Sequence, residues 1–129
     1  IAELEETIAI SEKLTDLGAT NVHYFDADMR DGEAIRKMIA TAENTMGPID
    51  VLVNNAGIQH VAPIEKFPIP KWEDVIAVNL TAHFHTIAAV IEGMRSRGFG
   101  RIIKISSVHG LVASANKSAY VSANHGWWV

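Results

Sequence analysis

The chain has 129 residues, a formal net charge of −4 and no cysteine. An acidic balance gives no basic face for nucleic acid, and the absence of thiols excludes disulfides and thiolate metal sites. With 48% hydrophobic and 20% charged residues, the composition is that of one globular domain. It shows no disordered tract and no apolar run of the eighteen or so residues that cross a bilayer.

Residues 2–17 carry Leu4, Ile8, Leu14 and Leu17 with acids between them. That spacing predicts an amphipathic helix, closed by Gly18. No start signal precedes Ile1, so the chain is expected to open inside an element or at its edge. Val22-His-Tyr-Phe25 is β-rich and predicts a strand ending at Asp26-Ala-Asp28. Asp31 is an N-cap candidate for a helix over 32–46, with Ile35, Met38, Ile39 and Ala42 on its apolar face and Gly47-Pro48 as its stop. A strand over 49–53 follows, then a long loop with Pro63, Pro68 and Pro70.

The longest helix is predicted over 71–97, with Pro70 near its start. Trp72, Ile76, Leu80, Phe84, Ile87, Ile91 and Met94 mark its buried face, and Gly98 and Gly100 punctuate its end. A strand over 102–105 leads into a Ser/Gly/Asn loop and a helix from about Lys117, cut short at Val129. Strands alternating with long helices predict a parallel α/β sheet, doubly wound with helices on both faces. Three strands are visible.

Ligands of such sheets sit at the carboxyl ends of strands. Two stretches place polar groups there. Ser106 and Ser107 follow the last strand, and Tyr120 comes thirteen residues after Ser107, on the next helix. Asn54-Asn55-Ala56-Gly57 ends the strand before it. Asn79 falls on an apolar helix face, where a buried amide needs partners. Taken singly, each has a structural alternative: a Ser-rich helix cap, a half-buried aromatic, a polar residue satisfied by a backbone carbonyl. The histidines show no metal-binding spacing, since His83 and His85 are about 200° apart on a helix.

In this order and spacing, Asn54-Asn55-Ala56-Gly57, Asn79, Ser107 and Tyr120 resemble the short-chain dehydrogenase/reductases. Gln59-His60 and His109-Gly-Leu-Val-Ala-Ser114, followed by Lys117-Ser-Ala-Tyr120, resemble the D-3-hydroxybutyrate dehydrogenase branch of that family. The likeness covers nearly the whole chain, but it is to an internal piece of the family fold. It implies a single incomplete Rossmann-type domain over 1–129, a nicotinamide cofactor (NAD, with NADP not excluded) and a small hydroxy or keto acid as substrate. It also implies a homo-oligomer in the cytoplasm, with neither nucleic acid nor membrane as partner. Tyr120 would be the acid/base, Ser107 would hold the substrate oxygen, and Asn79 would support a proton relay. Asp28, Asn55, Ala56, Gly57 and Tyr120 would meet the cofactor. Gln59, Ser107, His109 and Lys117 would hold the substrate, Lys117 as a point charge for its carboxylate.

Two features depart from the family pattern. Where the family has a lysine one helical turn after the tyrosine, this chain has Asn124. A free tyrosine has a pKa of about 10 and needs a nearby cation to act as a base at neutral pH. A charge about 4 Å away is worth about 4 kcal/mol at an effective dielectric near 20, and an asparagine supplies none. The second departure is the ending Trp127-Trp128-Val129, where the family continues with small and aliphatic residues. The glycine-rich turn that cradles a dinucleotide pyrophosphate would lie upstream of Ile1, and the later strands and substrate lid beyond Val129. The competing expectation is therefore a truncated, inactive relative that acts only by self-association or partner binding.

Overall fold

The computed structural model describes residues 2–127, and the side chains of residues 5–127. Helix α1 (Ala2–Asp16) ends at Gly18, which takes a φ of 102°. Helix α2 (Gly32–Met46) opens as its sequence predicts: the Asp31 carboxylate accepts from the backbone N–H groups of Glu33 and Ala34, two of the orphan donors of a first turn. Strand β1 (Val51–Asn54) leads into the proline-bearing loop. Pro68 and Pro70 then flank the start of α3 (Ile69–Ile76). A wider π turn, Ala77–Thr81, joins α3 without a break to α4 (Ala82–Arg97). Gly98, at φ 67°, closes α4 in the left-handed conformation. Strand β2 (Arg101–Lys104) and α5 (Ser118–His125) complete the chain.

β1 and β2 pair in parallel, Val51 opposite Arg101 and Asn54 opposite Lys104. The connection between them is α3 and α4, as the crossover rule requires. Ile39 of α2, Leu52 of β1, and Val90 and Met94 of α4 form the buried core. Gly100 lets β2 start against α4, since a Cβ there would lie 2.5 Å from Met94 Sδ. Among the described residues, one face of the sheet is covered. Leu52 and Asn54 are buried, whereas Val51 and Val53 are 51% and 52% exposed on the opposite face, with Ile103 exposed beside them. Parallel sheets are normally covered on both faces.

Three expectations need correction. Residues 21–28 form no strand: Val22–Phe25 has β-rich side chains, but a strand requires a backbone partner and none lies beside it among the described residues. The sheet accordingly has two strands there rather than three. The buried face of the long helix is offset from the apolar one. Val75, Val78, Asn79, Ala82, His83, Thr86, Val90 and Met94 are buried, while Phe84 is 59% exposed. Finally, the continuous helix Ile69–Arg97 is long and apolar enough to cross a membrane by length and composition, contrary to the sequence reading. Its buried face carries three polar side chains and packs against α2, α5 and β1, which makes it a core helix of this fold. Helix α1 leaves Ile8, Leu14 and Leu17 exposed. The expected contribution of Leu4 to its face, and the residues Trp128 and Val129, lie outside what the structure describes.

Candidate active site

A cleft of about 220 Å³ opens at the carboxyl ends of β1 and β2. The loop after β1 contributes Asn55, Ala56, Gly57 and Gln59. The long helix contributes Asn79 and His83, β2 and its extension contribute Lys104 and Ser106, and α5 contributes Tyr120 and Asn124.

The loop wall is held by the long helix. Asn79 sits in the π turn, a widened turn of the kind that recurs at functional sites. Its Oδ1 accepts from the Ile58 N–H at 2.9 Å, and its Nδ2 donates to the Ile58 carbonyl at 2.9 Å. The buried amide thus pairs with one peptide unit as a neighbouring strand would. One turn later, His83 Nε2 lies 3.4 Å from the Ala56 carbonyl. Further along the same face, the Thr86 hydroxyl donates to Asn54 Oδ1 at 2.7 Å. Positions three and four apart share a helix face, so one polar stripe grips residues 54 to 58.

The opposite wall is α5 and the loop before it. Asn124 is buried; its Oδ1 accepts from the Ser106 hydroxyl at 3.0 Å and its Nδ2 donates to the Tyr120 carbonyl at 2.9 Å. The His109 ring meets the Tyr120 ring edge-on, 5.9 Å between centroids. Lys117 Nζ lies 3.2 Å from His109 Nε2. An ammonium can only donate, which assigns the His109 proton to Nδ1, a buried atom with no hydrogen-bond partner.

The structure therefore brings most of the expected residues together. Asn55, Ala56, Gly57, Gln59, Asn79, Tyr120 and Asn124 share the cleft, His109 packs on Tyr120, and Lys117 reaches His109. Ser107 is turned aside: its hydroxyl accepts from the His109 N–H at 3.3 Å and caps the short turn Val108–Gly110, leaving Ser106 as the hydroxyl in the cleft. Asp28 also lies outside the cleft lining. It is exposed and paired with Arg30 at 2.7 Å. Hydrogen bonds from the Arg30 side chain and backbone hold its carboxyl down at about 2.

Two cleft residues escape a reading of the sequence. In the sequence, His83 is considered only for its lack of metal-binding spacing with His85. It is buried, and desolvation lowers its pKa; its spacing of four from Asn79 was the available signal. Lys104 was read only as part of an apolar strand. Its Nζ is shielded from solvent with no hydrogen-bond partner. It lies 4.5 Å from the centroid of the Trp127 ring, and burial lowers its pKa to about 8. A charge inside an apolar strand was the signal here.

The Lys104 shift has a measurable sign. Between about 8 in the fold and the ordinary 10.5, the unfolded chain still binds a proton that the folded chain has released. Stability contributed at this site therefore rises with pH across that window. We expect the parent chain to gain stability relative to Lys104→Met on going from about pH 7 to about pH 10, read from denaturant midpoints. Parallel changes in the two proteins would contradict this.

Comparison with known proteins agrees with this geometry. The family described as short chain dehydrogenase matches residues 2–127. D-beta-hydroxybutyrate dehydrogenase of Cupriavidus necator is 53% identical over 105 residues, covering 81% of this chain and 41% of that protein. The enzyme of the same name from Rhizobium meliloti is 46% identical over 122 residues, 95% of this chain and 47% of that protein. Acetoacetyl-CoA reductase of Shinella zoogloeoides is 41% identical over 107 residues, 83% of this chain and 44% of that protein. The chain thus spans less than half the length of these relatives. It belongs to the short chain dehydrogenase family.

Proposed function

We propose that this chain carries the proton-transfer and substrate side of an NAD-dependent dehydrogenase that interconverts 3-hydroxybutyrate and acetoacetate. The observation that carries the reading is the convergence on Tyr120: the His109 ring against it, with Lys117 on the far side of His109, and the Asn55–Gln59 wall across the cleft. Relatives named D-beta-hydroxybutyrate dehydrogenase support the substrate class.

The residues present fit the nicotinamide end of a dinucleotide. Asn55, Ala56 and Gly57 line the cleft, and His83 Nδ1 and Lys104 Nζ are buried there without hydrogen-bond partners. The bound cofactor would supply the hydride acceptor. Tyr120 would take the proton of the substrate hydroxyl at its Oη. A serine hydroxyl, Ser106 in the cleft as it stands or Ser107 after rotation, would hold the substrate oxygen. Lys117, with His109 and Gln59, would bind the carboxylate, an ammonium being a compact charge suited to that group. Asn79 would keep the loop wall in register and support the relay of the proton outward. Asp28, as the adenine contact, would have to leave Arg30.

The test is NAD-linked oxidation of 3-hydroxybutyrate by the full-length protein. We expect turnover, and a loss on the order of 10²- to 10⁴-fold for Tyr120→Phe, the usual worth of a positioned acid/base. No NAD-linked oxidation by the full-length protein would sink the reading.

A second reading concerns the 129-residue chain by itself, for which we expect no turnover because its sequence holds no glycine-rich turn after a strand. The bare face at Val51, Val53 and Ile103 favours self-association, since exposed apolar sheet surface and unpaired edges template contacts. Sedimentation of this chain should show concentration-dependent oligomers. A strict monomer at all concentrations would contradict it.

A further inference from the structure

We propose that Lys104 supplies, from the strand side of the cleft, the positive charge that Asn124 does not supply from the helix side, and that it acts as a positioning residue on Tyr120. This rests on the reading of Tyr120 as the acid/base.

Three observations meet at one place. Asn124 is committed: both ends of its amide are hydrogen-bonded, to Ser106 and to the Tyr120 carbonyl, so it contributes order but no charge. Lys104 lines the same cleft as Tyr120 and Asn124, and its Nζ is shielded from water without an anion or acceptor to satisfy it. The Trp127 ring, 4.5 Å away, is the partner that faces it. A cation over an aromatic face is held electrostatically. Lys104, Ser106, Asn124 and Trp127 together line a smaller void of about 180 Å³ adjoining the cleft. The cationic strand residue, the neutral helix residue and the tryptophan are thus one local arrangement.

A buried, unpaired ammonium is costly to the fold, so stability does not explain it. It becomes useful when negative charge develops beside it. The groups facing it or sharing the cleft are His83 from the long helix and Tyr120 from α5, with His109 against Tyr120 and Lys117 against His109. No carboxylate lines the cleft among the described residues. Among the described residues that line the cleft, the negative charge that Lys104 can meet is that of a deprotonated Tyr120 or of a bound ligand. Lys104 also keeps its proton at neutral pH, because burial brings its pKa only to about 8. No bond is made or broken at Lys104; it stabilises the tyrosinate while the substrate hydroxyl proton passes to Tyr120 Oη.

The experiment uses the 129-residue chain with ¹³Cζ-labelled tyrosine. The chain has two tyrosines, Tyr24 and Tyr120, and Tyr24→Phe assigns the signals. We expect the Tyr120 resonance to show a step centred near pH 8, where Lys104 releases its proton, separate from any histidine step near about pH 6.5. The step should vanish in Lys104→Met, which removes the charge together with its contact to the Trp127 ring, and in Lys104→Arg, which keeps a charge that does not titrate. Absence of the step in the parent chain, or its survival in Lys104→Met, would overturn the proposal. Direct titration of the Lys104 side chain in the unsubstituted protein is the second reading: a midpoint well below neutral pH would also overturn it, because Lys104 would then carry no charge at neutral pH. Neither readout involves turnover, so their failure is distinct from failure of the dehydrogenase assay.

Discussion

The site depends on the pairing of one side-chain amide with one peptide unit. Asn79 hydrogen-bonds both the N–H and the carbonyl of Ile58, and it reaches them from a π turn inside an otherwise α-helical run. An α-helical segment has its own backbone groups satisfied and offers a loop only its side chains. Asn79, His83 and Thr86 do this from one face, and residues 54 to 58 are fixed as a result. The price in helix apolarity is visible: these three buried positions displace Phe84 to the surface.

The Rossmann-like α/β architecture of the family accounts for where the rest sits. Parallel pairing of β1 with β2 puts both polar loops at one end of the sheet, so residues more than sixty positions apart in sequence, such as Gly57 and Tyr120, share one cleft. The other face of the sheet is bare, and the chain spans less than half the length of its relatives. What the chain builds is one wall of the cleft, where the His109 ring meets Tyr120 and Lys117 meets His109.

Much of this was legible from residue types. Asp31 could be read as a cap, Gly18 and Gly98 as helix ends, and the loop after β1 as a wall of small residues. Each of those signals is local, and local chemistry decides it. Tertiary outcomes were less legible. The run Val22–Phe25 has strand composition, but composition cannot supply a pairing neighbour. The choice between Ser106 and Ser107 turns on a backbone direction that places Ser107 over the His109 N–H. Hydrophobic spacing named Phe84 as core because it cannot credit a buried histidine or asparagine that has found a carbonyl. Lys104 was hidden for the same reason: a lysine is counted as solvated until the fold encloses its ammonium.

Asn79 holds the cleft wall in this chain before any ligand arrives. The measurement to make is hydrogen exchange at the Ile58 amide, in the parent chain and in Asn79→Ala. Ile58 should exchange more slowly than the loop amides around it, and Asn79→Ala should remove this protection while the amides of α2 stay protected. Exchange of Ile58 in the parent chain as fast as its neighbours, or protection unchanged in Asn79→Ala, would contradict it.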